Sequence, residues 1–382
     1  MKKKVLSFIL VTMLVVMMLP MSAYAASESD FQQDQLVEAY NNIIENFSKD
    51  ESGQYIYPNE YAGAYIENGL LNICLTEDND EIRNKYLSES GSPESIQFVI
   101  KGFNLNYLNN LADQVRNIEG EDILTVAVIQ KSNIVDVGTN KDVDQVKNDI
   151  LSAIPVTFNN TLLTSPEDIP LNVTYQNLET SIQRDDNTYQ VQPYAIPTLM
   201  GGLAFWSNQK GYTLGICGKY NGNSAILTCG HGQQVGKSVL VNGSVIGSIV
   251  KANWSSSGYY DYAIIQLNSN AAAKVTNKVK TQNGTQTITS INKSSVEGMK
   301  VNRYGNTSGF KTGTVLATNI STTLDGVVCY GLVEVSADST TQPGDSGGPV
   351  YYGSNFYGTV TGHNTSGVWF YSPSGAVPGF SL

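Results

Sequence analysis

The sequence predicts two folding units: an acidic α/β unit over residues 27–198, then an all-β barrel or sandwich over residues 199–382. Three observations carry that prediction. The chain has 382 residues, more than one core of ordinary size needs. Its hydrophobic pattern changes from helical and strand periods mixed together to short strands alone. Its charge divides near residue 198: the first part holds 12 Lys/Arg and 28 Asp/Glu, a net of −16, the second 11 and 6, a net of +5. A negative part followed by a positive one predicts that the two attract.

Composition narrows the class further. With 41% hydrophobic and 15% charged residues, the chain is too apolar for disorder and too polar for a multi-span membrane protein. Four cysteines exclude a disulfide-dense scaffold, two histidines exclude a His-rich metal site, and the net charge of −11 argues against a nucleic-acid partner. At the N-terminus Lys2, Lys3 and Lys4 precede an apolar run from Val5 to Leu19 and then Ala23-Tyr24-Ala25. That is the basic, apolar, small-x-small order of a signal peptide, here residues 1–26, and it predicts a secreted, extracellular protein. The run is short of the ~20 residues that span a bilayer, so no stable membrane anchor is expected.

In the first unit Leu36, Val37, Tyr40, Ile43, Ile44 and Phe47 fall at helical spacing. Ala64 to Ile66 and Leu70 to Leu75 flank Asn68-Gly69, a hairpin signal. A weaker hairpin, Thr125 to Ile129 and Ile134 to Val137, precedes a helix from about Lys141 to Ile154, so a hairpin-then-helix order occurs twice. Cys74 falls in a strand and is expected to be a buried thiol. No catalytic constellation is visible here. The pattern fades from about Asn187 to Pro197, which reads as a linker.

The chemistry lies in the second unit. Strands such as Ser224 to Thr228, Val245 to Val250 and Tyr262 to Leu267 alternate with Gly, Asn and Ser clusters. Gly344-Asp345-Ser346-Gly347-Gly348-Pro349 is the most informative stretch. A serine hydroxyl becomes a nucleophile only when a base takes its proton and donors stabilise the oxyanion. The glycines allow the backbone to turn N–H groups that way. Only His231 and His363 can be the base, and His231 ends a strand-then-Gly-His turn that suits the task. Asp261 opens the apolar strand Tyr262 to Leu267, where a carboxylate needs a partner. His231, Asp261, Ser346 is the chymotrypsin order of a triad.

On these residues, Thr228-x-Gly230-His231, Asp261-Tyr262-Ala263 and the Gly344 to Pro349 string, the chain resembles chymotrypsin-fold serine endopeptidases of the bacterial alpha-lytic protease and streptogrisin branch. Gly201-Gly202, Val301 to Thr307, Tyr330-Gly331-Leu332 and Gln342-Pro343 fit that branch too, and Tyr61-Ala62-Gly63-Ala64-Tyr65 resembles its pro-regions. The resemblance implies an all-β catalytic domain of two antiparallel six-stranded β-barrels, with the site between them and an α/β pro-region before them. That pro-region would assist folding, inhibit the enzyme as an intramolecular partner, and be removed on maturation.

It further implies Ser346 as nucleophile, His231 as general acid–base and Asp261 as its orienting carboxylate. The N–H groups of Gly344 and Ser346 would form the oxyanion hole, and Arg303 would pair with Asp345 to hold the loop. No cofactor and no metal are implied; the partners are polypeptide substrates, and a monomer is expected. Substrate-binding walls would come from Thr341 and Gln342, from Val360, Thr361, Gly362 and His363, and from about Val368 to Tyr371. None brings an aspartate to the pocket base, so cleavage after apolar or aromatic side chains is the default. His363 either binds an acidic side chain, giving glutamyl specificity, or sits at a wet rim, and the rim is the reading adopted. A catalytically silent binding protein on the same fold is the alternative from another class. Tyr212, Asn302, Thr312 and Thr340 stand where family members often carry cysteine. Cys217 and Cys229 either replace a bridge or remain two buried thiols, and Cys329 has no obvious partner.

Overall fold

The computed structural model describes residues 21–51, 55–118, 122–154, 157–158, 161–162, 169–176, 195–255, 258–292, 294–337, 339–364 and 367–382. Most of the expected leader and most of the expected linker lie outside these residues. Among those described, no helix is long and apolar enough to cross a membrane.

The N-terminal unit begins with helix α1 (Met21–Glu45), which buries Leu36, Val37, Ile43 and Ile44. Strands β1 (Tyr61–Glu67) and β2 (Leu70–Leu75) form the expected hairpin. Asn68 and Gly69 both take positive φ, 53° and 73°, as the tight primed turns of hairpins require. Helix α2 (Asp80–Ser90) starts where Asn79 accepts a hydrogen bond from the Ile82 N–H, and ends at Gly91 in the left-handed conformation. It crosses over to β3 (Ile96–Ile100), which lies parallel to β2. Helix α3 (Leu105–Arg116) then leads to a second hairpin, β4 (Thr125–Ile129) and β5 (Ile134–Thr139). Helix α4 (Val143–Ala153) is capped by Asp142 and returns to β6 (Leu171–Tyr175), parallel to β5. The repeat is therefore hairpin, helix, parallel strand. Sequence pattern shows the two hairpins and α4 but not α2, β3 or β6.

The C-terminal unit is two barrels. The first runs through β7 (Ala204–Ser207), β8 (Lys210–Thr213), β9 (Ile216–Tyr220), β10 (Asn223–Thr228), β11 (Ser238–Val241), β12 (Ser244–Asn253) and β13 (Tyr262–Leu267). Its sheet order is β8-β7-β11-β12-β13-β10-β9. Since β8 and β9 are two halves of one strand interrupted at Leu214-Gly215, the two edges belong to the same strand, and the sheet closes as a six-stranded barrel. The second barrel is β14 (Lys300–Gly305), β15 (Gly309–Leu324), β16 (Val327–Ala337), β17 (Pro349–Tyr352), β18 (Asn355–His363) and β19 (Val368–Pro373). The β15–β16 pairing closes this one directly. A further strand, β20 (Phe380–Ser381), pairs with Tyr220 and Lys219 of β9.

The units share one sheet: β4 adds antiparallel to β15, with Val128 opposite Thr318 and Val126 opposite Ser321. Val126 and Val128 belong to the same hydrophobic cluster as Val315, Val333 and Val335 of the second barrel. Gln33 of α1 clasps the Lys300 backbone, donating from Nε2 to its carbonyl at 2.8 Å and accepting its N–H at 2.8 Å. The Glu297 carboxylate accepts the Gln130 and Lys131 N–H groups. Seven ion pairs between described residues each stay within one unit, while the Lys131 and Lys101 charges of the first unit act on Glu297 of the second. Backbone pairing and apolar burial hold the junction.

Candidate active site

The seam between the barrels pairs two predicted side chains, His231 and Asp261, beside the loop that carries the third, Ser346. His231 follows the end of β10, Asp261 precedes β13, and β10 and β13 are neighbours, with Thr228 opposite Ala263. The His231 Nδ1 stands 2.7 Å from Asp261 Oδ2, both side chains fully buried. Asp261 Oδ1 accepts the N–H groups of Gly230 at 2.7 Å and His231 at 2.8 Å. A carboxylate so held fixes the imidazole tautomer with Nδ1–H toward Asp261 and leaves Nε2 to take a proton. Burial alone lowers the His231 pKa; the Asp261 charge and hydrogen bond, together with the neighbouring Cys229, outweigh it and raise the value above the ordinary 6.5. The His231 Nε2 is itself buried and has no hydrogen-bond partner among the described residues. Trp254 lies edge-on to the ring, 5.6 Å between centroids.

Ser346 sits in the loop before β17, 5% exposed. This loop packs on the strand end that carries His231. Gly347 has φ +83°, and a Cβ there would collide with Thr228 Oγ1. Gly344 has φ +91°, which turns the peptide as only glycine does readily. Its N–H and that of Ser346 donate to no acceptor among the described residues, so both remain available to a developing oxyanion.

Arg303 and Asp345 are fully buried, with Nη1 3.3 Å from Oδ2. Asp345 also accepts N–H bonds from Gln342 at 2.8 Å, Thr307 at 3.0 Å and Ser308 at 2.9 Å, and Arg303 donates to Ser308 Oγ and the Thr340 carbonyl. This network stiffens the nucleophile loop from beneath. Removing one partner of a buried ion pair strands the other, so Arg303→Met is expected to cost about 3–5 kcal/mol in urea unfolding. A cost below about 1 kcal/mol would mean that the three backbone donors suffice.

The proposed substrate wall is partly assembled. Val360, Thr361 and Gly362 are buried in β18, Gln342 is exposed, and Thr341 Oγ1 lies 2.7 Å from His363 Nδ1. The wet-rim reading of His363 is corrected: the residue is 6% exposed, because β18 pairs it with Trp369 and Thr341 covers it. Burial, with Arg303 nearby, pushes its pKa down. The Cys217–Cys229 bridge is corrected as well. All four cysteines are free and buried. The register sets Cys217 against Ile226, while Cys229 lies beyond the end of that ladder. Burial pushes the Cys217 thiol up to about 12, the value for an inert buried thiol.

Sequence reasoning missed Thr213. At the break between β8 and β9, its N–H donates to the Ser346 carbonyl at 2.9 Å, its Oγ1 donates to the Gly344 carbonyl at 2.6 Å, and Oγ1 accepts from the Asn306 N–H. No local signal marks it. It also missed Ser372, whose Oγ accepts the Asp261 N–H at 3.1 Å.

Two closed antiparallel barrels with this seam define the class: the C-terminal half has the chymotrypsin-like all-β fold. Residues 213–380 match the trypsin family, and residues 24–99 match the family described as a Pro-like N-terminal domain. The chain is 32% identical to Streptogrisin-A of Streptomyces griseus over 184 residues, which cover 46% of this chain and 57% of that protein. It is 28% identical to Streptogrisin-D of Streptomyces griseus over 185 residues, 46% of this chain and 45% of that protein. The chain thus aligns with about half the length of these relatives. Among solved structures, Thermobifida fusca Protease A is 26% identical, covering 46% of this chain and 90% of that one, with a TM-score of 0.40. A glutamic acid specific serine protease, described as using a histidine triad in substrate binding, is 25% identical, covering 46% and 93%, with a TM-score of 0.41.

Proposed function

We propose that this protein is a secreted serine endopeptidase made as a precursor, with residues 1–26 a signal peptide, 27–198 a pro-region removed on maturation and 199–382 the protease. The observation that carries the reading is the buried His231–Asp261 pair meeting the Ser346 loop at the barrel seam. Ser346 Oγ attacks the peptide carbonyl while His231 Nε2 takes its proton; the Gly344 and Ser346 N–H groups stabilise the oxyanion. His231 gives the proton to the leaving amine, and the acyl-enzyme remains. Water, deprotonated by His231, attacks the ester and releases the acid, restoring Ser346. All three triad members are present, which favours this over a silent binding protein.

The test is intact mass and fluorophosphonate labelling of the secreted protein. The expected product has lost residues to about 198 and carries one label, on Ser346. A folded, processed protein that takes no label would sink the enzyme reading and leave the binding protein.

For specificity, a neutral His363 bonded to Thr341 favours the apolar or aromatic default over glutamate. A peptide library profiled at about pH 8, above the ordinary histidine range, is expected to show large apolar residues before the cut. Predominant cleavage after Glu, strengthening as pH falls and His363 gains a proton, would instead establish glutamyl specificity.

A further inference from the structure

The junction between the two units sets acid against acid. Asp136 lies opposite Ala127 in the β5–β4 ladder, β4 joins β15, and Ala317 of β15 lies opposite Glu334 of β16. Ala127 and Ala317 share one apolar cluster, with Leu332 and Phe370, so these four positions occupy one face of the sheet that spans both units. The two middle positions carry the smallest of side chains. The outer two carry carboxylates, one from each unit, on strands three steps apart in that sheet. Asp136 receives a hydrogen bond from Asn172 Nδ2 at 2.6 Å. The Glu334 side chain has no hydrogen bond or ion pair among the described residues. Arg116 projects from α3, which packs on the opposite, Val126 and Val128 side, where it is engaged by Asp113, Ser321 and the Asn319 carbonyl.

We propose that the grip of the N-terminal unit on the protease unit is proton-linked through Glu334 and Asp136, firm in mildly acid solution and loosened above neutrality. The inference rests on reading the N-terminal unit as a pro-region that must eventually leave. Two carboxylates on one face of a partly buried seam, one feeling the other's charge, cannot both ionise cheaply. Burial first, then the Asp136 charge, pushes the Glu334 pKa up to about 7, and burial pushes Asp136 up as well. When the units separate, Glu334 regains water and its ordinary value of 4.5. The sign follows from linkage. A carboxyl whose pKa is higher in the joined state binds a proton on joining, so its penalty is absent below pH 4.5, grows between 4.5 and about 7, and is constant above. Glu297 adds the same direction: burial pushes it up to about 7, against the Gln130 and Lys131 N–H groups and the Lys131 and Lys101 charges, which pull it down, while Tyr65 faces it from β1. A pro-region held this way stays on its enzyme in an acidic medium and is released into a neutral or alkaline one.

The test uses the full chain with Ser346→Ala, so that no cleavage intervenes, and reads hydrogen exchange of the β4–β15 ladder amides. Each rate is corrected for the intrinsic pH dependence of exchange. Between about pH 5.5 and about pH 8.5 the opening constant of the ladder is expected to rise about 30-fold through Glu334 alone, from one group moving between 4.5 and about 7. Adding Glu334→Gln should remove that factor while leaving protection at the lower pH intact, and Asp136→Asn should reduce it. Equal protection at both pH values, or a Glu334→Gln chain that opens with the same pH dependence as its parent, overturns the proposal. Should Glu334→Gln disturb folding, the Asp136→Asn chain alone decides, on the same criterion. Because catalysis plays no part in this readout, its failure leaves the protease reading standing, and failure of the label test leaves this one standing.

Discussion

Ser346→Ala is expected to lower peptide hydrolysis by about 10⁶-fold while leaving the fold intact. The hydroxyl is the only group removed, and the loop that carries it is held by other atoms. The Ser346 carbonyl is fixed by the Thr213 N–H, and Asp345 next to it by three N–H groups and Arg303. Melting temperature should therefore barely move, and steady-state kinetics on a chromogenic peptide should show the loss almost wholly in kcat. The same variant reports on maturation. If the precursor cuts itself, the alanine chain is secreted at full length; if it is still trimmed near residue 198, another protease does the work. Retention of more than about a hundredth of wild-type activity would place the nucleophile elsewhere.

Asp261→Asn is expected to cost about 10⁴-fold in kcat, by disturbing a neighbour rather than by removing a reacting group. The carboxylate accepts on both oxygens: Nδ1–H of His231 on one, the Gly230 and His231 N–H groups on the other. An amide cannot accept on both sides. Either its NH₂ faces the imidazole and forces the proton onto Nε2, where it blocks the base, or it faces two N–H donors. The pH profile provides the second readout. His231 acts as a base only when neutral, so activity is present above its pKa and is lost as pH falls through it. Asp261 raises that pKa, so the acid limb of kcat/KM should lie above pH 6.5 in the wild type and move down in the variant. An unmoved limb would mean that Asp261 does not set the imidazole's charge.

Much of this was legible in the sequence where chemistry is local. Asn68-Gly69 dictates its turn because two adjacent residues must take positive φ, and the Gly344 to Pro349 string is legible because the loop needs glycine at defined places. Asp261 could be found because an acid at the mouth of an apolar strand needs a partner. Thr213 could not: its hydrogen bonds to Gly344, Ser346 and Asn306 run to residues about 90 to 130 positions away, and nothing in Tyr212-Thr213-Leu214 foretells them. The burial of His363 depends on a strand register, and so does the separation of Cys217 from Cys229. Net charge has the same limit, because the sum over a domain says little about which groups meet at a seam a few strands wide.

If the N-terminal unit is a pro-region that departs, as proposed, the sheet that continues from one unit into the other has a consequence for the protein left behind. Residues 318–322 of β15 would then present bare N–H and C=O groups, an invitation to any extended chain. This stretch is a poor host. Its pairing is broken by shifts between Val315 and Ala317, Ala317 and Ile320, and Ile320 and Thr322, and Asn319 takes φ +54°. A border so crooked accepts the strand shaped for it and discourages flat, repetitive stacking, which would keep the protein at high concentration from self-association.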